Sequence, residues 1–214
     1  MVTSFINFLP HIGKKFHEHG FFGKKILVLG ESHYCIEELA EGGRCHPYCS
    51  KSKMKEECFS QTIDWVEGVI YDFKFRTFTN FERAVYGREL SEEEHIDFWE
   101  SVLFYNYLQF SQPAPKHQLH QTDDAYDISS KAFLEVLHTY KPDFVIAWGT
   151  SRLYDMTPNG GGKASELKIT NDGSAPIWIY PIDDKEIPTL FIQHPANYFS
   201  WEAWHPYIKK FLSL

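Results

Sequence analysis

Four polar residues in a row follow a short apolar run near the start of the chain: Glu31-Ser32-His33-Tyr34 after Ile26-Leu27-Val28-Leu29-Gly30. A carboxylate, a hydroxyl, an imidazole and a phenol at one place can bind a polar ring, position a water or move a proton. Two other stretches have the same character. Asn106 lies inside the aromatic run 102–109, where an amide must find hydrogen-bond partners. His194-Pro195-Ala196-Asn197 closes the last apolar run, Thr189–Ile192. A cruder alternative for the first stretch is that Glu31-Ser32 simply caps a following helix. For Asn106, the alternative is that it ties two backbones together.

A second group of candidates is the set of four cysteines. Cys35, Cys45, Cys49 and Cys58 fall within 24 residues, spaced C-x9-C-x3-C-x8-C, with His33 and His46 close by. Clustered thiolates in a reducing compartment suit a metal. Zinc takes four thiolates or three and an imidazole, and an iron–sulfur cluster takes four. The x9 and x8 gaps match no standard knuckle, so ordinary reduced or paired cysteines are the other reading. Pro158-Asn159-Gly160-Gly161-Gly162-Lys163 lacks the frame of a phosphate-binding loop and reads as a turn.

The elements that must position these residues follow from periodicity. Strand-like runs at 25–29 and 144–148 are continuously apolar, the pattern of strands buried on both faces. Further extended segments are expected at 102–109, 177–182 and 188–193. Helices are expected at 60–74, at 76–90, from the capping box Ser91-Glu92-Glu93-Glu94 onward, at 128–140, at 151–156 and at 200–212, with a short one near Phe5–Leu9. The proline-bearing loop 111–124, with His117 and His120, suits a surface lid. Alternating strands and helices give an α/β class with a mostly parallel sheet. In such a sheet, ligands sit beyond the carboxyl ends of the strands. The three polar stretches would then meet on one edge and offer a carboxylate, an amide and an imidazole to a flat ring.

Composition sets limits on this picture. The 214 residues suit one domain, 1–214, with the cysteine-bearing loop at about 35–58 as an insertion. Hydrophobic residues make up 43% and charged residues 23%, a globular balance. Aromatics reach 17%, which serves either a large aromatic core or base-stacking surfaces. The net charge of −8 excludes a global basic field, so nucleic-acid binding would need a local patch. No run reads as a signal peptide or a membrane span, so a cytoplasmic protein without membrane contact is expected. No obligate protein partner is evident.

In order and strand context, four motifs resemble those of the uracil-DNA glycosylase superfamily. They are G-E-S-H-Y at Gly30–Tyr34, Y-N-Y at Tyr105–Tyr107, A-W-G at Ala147–Gly149 and H-P-A at His194–Ala196. The resemblance spans roughly residues 25–212. It implies a three-layer α/β/α fold with a central, mostly parallel four-stranded sheet. It further implies hydrolysis of the N-glycosidic bond of uracil or a related base in DNA, by base flipping. Glu31 and Ser32 would bind the base and position the attacking water, and His33 is a further candidate for activating it. His194 would hydrogen-bond the carbonyl that gains charge. Tyr34 would exclude a 5-methyl group and Asn106 would read the base edge. Gly30, Gly149, Pro195, Ala196 and Asn197 complete the substrate-binding set, and Tyr198 and Phe199 would form the wedge that fills the gap in the DNA. Where the family's motifs carry aspartate, proline and serine, this chain has Ser32, His33 and Ala196. A non-catalytic module holding a nucleobase, nucleotide or nucleic acid on the same fold is the second reading, and a structural metalloprotein built on the cysteine loop is the third.

Overall fold

A computed structural model describes residues 4–34, 38–39, 43–44, 56–111, 123–150, 152–157, 162–170, 173–196 and 198–214. In chain order the elements are β1 (His11–Ile12), β2 (Ile26–Gly30), β3 (Glu38–Leu39), β4 (Gly43–Arg44), α1 (Glu56–Phe59), α2 (Gln61–Tyr71), α3 (Arg76–Tyr86), α4 (Glu92–Trp99) and β5 (Leu103–Asn106). They continue with α5 (Asp123–Tyr140), β6 (Phe144–Trp148), α6 (Arg152–Met156), β7 (Lys163–Thr170), β8 (Gly173–Ile182), β9 (Lys185–Ile192) and α7 (Trp201–Leu212).

The class is mixed α/β. One sheet holds seven strands in the order β1-β5-β2-β6-β9-β8-β7, where four were expected. Its centre, β5-β2-β6-β9, is parallel throughout. The additional strands are antiparallel: β1 along β5, and the ribbon β8-β7 along β9. β3 and β4 form a separate two-stranded pair.

Alternation along the central strands sends side chains to two cores. Ile26, Val28, Phe104, Ile146, Trp148, Leu190 and Ile192 face one side, where they pack with residues of α2, α3, α4 and α7. Leu27, Leu29, Leu103, Tyr105, Val145, Ala147 and Phe191 face the other, against α5 and α6. The aromatic density serves the first core: Phe78, Phe81, Trp99, Phe104 and Trp148 form a network of tilted and edge-on rings. Such contacts add to the energy of area burial.

Local signals set several boundaries. The Ser91–Glu94 capping box forms in full at the start of α4, and Ser200 Oγ accepts the Ala203 N–H at α7. Residues 4–10 are not helical, contrary to the short helix expected near Phe5–Leu9. Their polar groups are taken up by a long-range contact with Gln109, described below. No helix among the described residues is long and apolar enough to cross a membrane.

Candidate functional site

The carboxyl ends of β5, β2, β6 and β9 lie side by side on one rim. Gly30 pairs with Asn106 in register, Leu29 with Ala147, and Trp148 with Ile192. Side chains two residues apart share a face of a strand. Asn106 therefore follows Phe104, Gly30 follows Val28 and Trp148 follows Ile146, all toward the core walled by α2 and α3. His194 lies just beyond β9, its ring edge-on to Trp148 with centroids 6.0 Å apart. Three strand spacings, about 14 Å, separate the backbones at the two ends of this row.

Gly30 narrows that gap. A Cβ built there would lie 2.1 Å from Asn106 Oδ1 and 3.0 Å from Phe104 Cζ. The Asn106 carboxamide thus leans over the neighbouring strand, toward β6 and β9, into space that any side chain at position 30 would fill.

The β5–β2 half of the rim is buried and tightly bonded. Asn106 is 9% exposed and His33 5%. His33 Nε2 sits 3.0 Å from Thr62 Oγ1 and 3.2 Å from Asn106 Nδ2, and its ring packs on Phe8 at 4.3 Å. Burial pushes the His33 pKa down from 6.5 to about 3, so the ring is neutral at ordinary pH. Both partners lie on Nε2; the Asn106 amide nitrogen can only donate, so it meets the lone pair of Nε2 in the neutral ring, and the proton of the ring sits on Nδ1. The ring lies against the Asn106 amide and the Phe8 ring.

Gln109 completes this half. Its Nε2 donates to Asn106 O at 2.9 Å, and its Oε1 accepts the N–H groups of Asn7 and Phe8 at 2.7 and 3.1 Å. Asn7 Nδ2 donates back to Gln109 O at 2.9 Å, and the Gln109 N–H reaches Ser129 Oγ at 3.0 Å. One buried amide therefore clamps the N-terminal segment across the end of β5 and seats Phe8 on His33. Beyond β5, the Tyr107 and Leu108 N–H groups donate to the carbonyls of Gly30 and Glu31. Glu31 and Ser32 are half-buried in that turn, and residues 31–33 are not helical, so no helix starts there for them to cap. Tyr34 is exposed, with its carbonyl accepting Gln61 Nε2 at 2.9 Å.

The β9 half is more open. His194 is exposed, and its Nδ1 accepts the Ala196 N–H at 3.3 Å, which leaves the ring hydrogen of the neutral form on Nε2. Pro195 is buried, and its carbonyl accepts Asn80 Nδ2 of α3 at 2.9 Å. The Gly149 N–H donates to Ile192 O at 2.8 Å and closes β6 onto β9. The two residues expected to act together as a wedge are placed apart in environment. Tyr198 is 97% exposed with a left-handed backbone (φ 57°), whereas Phe199 packs against the core. Asn197 lies outside the described residues.

Cys58 is a free, half-buried thiol on α1. Cys35, Cys45 and Cys49 lie outside the described residues, as do His117 and His120. Among the described residues no group of three or more His, Cys, Asp or Glu is placed to hold a metal ion.

Thr62, Asn80, Gln109 and Phe8 were absent from the residues singled out in the sequence. Each sits in an ordinary helix, strand end or lead-in, and only long-range pairing makes it part of the site. No protein-family model matches this chain, and no curated protein matches it.

Proposed function

We propose that this rim is a nucleobase pocket and that the protein is an N-glycosidic hydrolase of the uracil-DNA glycosylase kind, acting on uracil or a related base flipped out of DNA. The observation that carries the reading is the Gly30–Asn106 pair: a buried carboxamide leaning over a residue without a side chain, on the face that His194 adjoins. The parallel core β5-β2-β6-β9, with helices on both faces, supports a three-layer arrangement of that family's type.

Each residue has a defined task on this reading. Asn106 offers donor and acceptor together to the edge of a planar ring. As the glycosidic bond breaks, its electron pair moves to the base, and charge grows on a base carbonyl. His194 donates Nε2–H to that oxygen, a stabilisation that acts most strongly on the leaving anion. Glu31 takes a proton from the attacking water, whose oxygen bonds to the sugar carbon. Ser32 helps to hold that water, and Tyr34 limits what fits beside the base. Tyr198 enters the gap left in the duplex.

A non-catalytic module that holds a base on the same rim is the second reading. It is favoured by Ser32 where the family's motif carries an aspartate, and by the net charge of −8. Incubation with a uracil-containing oligonucleotide separates the two. Base release by the wild type, lost in Asn106→Ala and His194→Ala, supports the hydrolase. Binding of uracil without release supports the module. The cysteine loop is proposed separately as a zinc or iron–sulfur staple, tested by elemental analysis and an absorbance scan.

A further inference from the structure

Outside the rim, α2 and the turn that follows it carry a group of aromatic rings on the surface. Trp65, Phe73 and Phe75 are between 38% and 43% exposed. They are held together: Trp65 meets Phe73 at 5.5 Å and Phe75 at 5.3 Å, at interplanar angles of 66° and 84°. Among the described residues the ring contacts of the group are all edge-on, and each of the three rings keeps exposed surface.

The group is a built feature. A Cβ at Gly68 would lie 2.9 Å from Phe73 Cε1, so Phe73 is seated over a helix position that lacks a side chain. The Phe73 N–H donates to Gly68 O at 3.0 Å and fixes the turn. Phe75 is anchored by Phe78, a buried residue of the main aromatic core. Exposed aromatic surface this well fixed is unusual unless something covers it.

The charges beside it indicate what that partner is. The sequence Phe73-Lys74-Phe75-Arg76 alternates rings with cations. Lys74 and Arg76 are exposed and, like several other lysines of the chain, form no ion pair among the described residues. Of the exposed acids nearby, Asp64 accepts the Ser60 hydroxyl, and Glu67 and Asp72 pair with neither cation among the described residues. Exposed rings with neighbouring cations that form no ion pair among the described residues offer the two chemistries that hold the bases and phosphates of an unpaired strand.

We propose that Trp65, Phe73 and Phe75, with Lys74 and Arg76, form a binding ridge for single-stranded nucleic acid. Bases stack on the rings, and the two cations neutralise phosphates. The ridge adjoins the rim, since Thr62, which touches His33, lies one helical turn before Trp65 on α2. It shares only the nucleic-acid class with the pocket reading and does not require that the rim cleave anything.

The test is binding of a fluorescently labelled oligothymidylate, followed by anisotropy and by quenching of tryptophan emission. The wild type should bind with a log–log salt slope of about −1.4, the value for two neutralised phosphates on a single strand. Trp65→Ala and Phe73→Ala should each weaken binding about tenfold. The double substitution Lys74→Ala/Arg76→Ala is on the surface and leaves the fold intact; it should flatten the salt slope. No binding by the wild type overturns the proposal, as does binding that survives all of these changes. So does concentration-dependent self-association that Trp65→Ala abolishes, because the rings would then meet a second copy of the chain. Lys131→Ala, on α5 across the sheet, should leave this binding unchanged, and base release is read separately on the same preparations, which keeps failure of the ridge distinct from failure of the pocket.

Discussion

The two halves of the rim are built on different principles. Around β5 and β2, a carboxamide, an imidazole, a threonine hydroxyl and a glutamine amide are buried and bonded to one another. Around β9, an exposed imidazole and a fully exposed tyrosine lie beside one backbone hydrogen bond, Gly149 N–H to Ile192 O, and one from the Asn80 side chain to Pro195 O. A buried polar group must be satisfied in advance, so the first half has a fixed shape before any ligand arrives. On the function proposed above, the first half would recognise shape and the second would meet the developing charge.

Gln109→Ala should break this contrast most severely. It removes the acceptor of two buried N–H groups and the donor to Asn106 O, and should cost about 3 kcal/mol or more in a denaturant titration. The His194→Ala change, at an exposed position, should leave the same titration within about 0.5 kcal/mol of wild type.

Gly30→Ala comes next. The added methyl would overlap Asn106 Oδ1, so either the amide swings away or the strand ends shift, at about 1–3 kcal/mol. Loss of uracil binding with modest loss of thermal stability is the expected pattern. Retention of both would show that Asn106 need not lean across position 30.

Acid sharpens the contrast further. Burial holds His33 at about 3 and His11 at about 4, against 6.5 in the unfolded chain. The unfolded state therefore binds more protons between pH 6.5 and those values, and stability falls as pH falls through that window. Each group contributes up to about 1.4 kcal/mol per pH unit. His33→Gln should flatten this acid limb. His95 acts in the opposite direction. Both its ring nitrogens face acceptors, Glu82 Oε1 and Val69 O, and these bonds outweigh its burial to raise its pKa. Its contribution is complete below pH 6.5 and is lost as pH rises through the raised value. His95→Gln should remove that alkaline decline.

The smallest effect is expected at Tyr198. At 97% exposure, Tyr198→Ala should change stability by less than about 0.5 kcal/mol. Any role as a wedge must then appear in duplex binding alone, measured as a weaker affinity for a uracil-containing duplex.

Much of this architecture was legible from local pattern. The apolar runs of β2 and β6 stand out because strands covered on both faces have no polar positions. The starts of α4 and α7 are marked by serine caps, and the polar breaks after β2 and β9 by their contrast with what precedes them. The edges of the sheet were hidden. β1 has only two residues and β7 (Lys-Ala-Ser-Glu-Leu-Lys-Ile-Thr) is largely polar, whereas β8 and β9 were expected as extended segments at 177–182 and 188–193 despite Pro181 and Pro188. The candidate site was legible as residue types and not as environment. His33 reads as an imidazole in a polar turn, and its burial against Phe8, Thr62 and Asn106 has no local signal. Gln109 gives no signal at all, because its partners at positions 7 and 8 lie about a hundred residues away in the chain.

The most direct test of a shared pocket is an NMR titration with uracil that follows the side-chain amide of Asn106 and the ring of His194 together. One pocket predicts that both sets of resonances shift with the same dissociation constant. Movement of only one of them, or of neither, would contradict it.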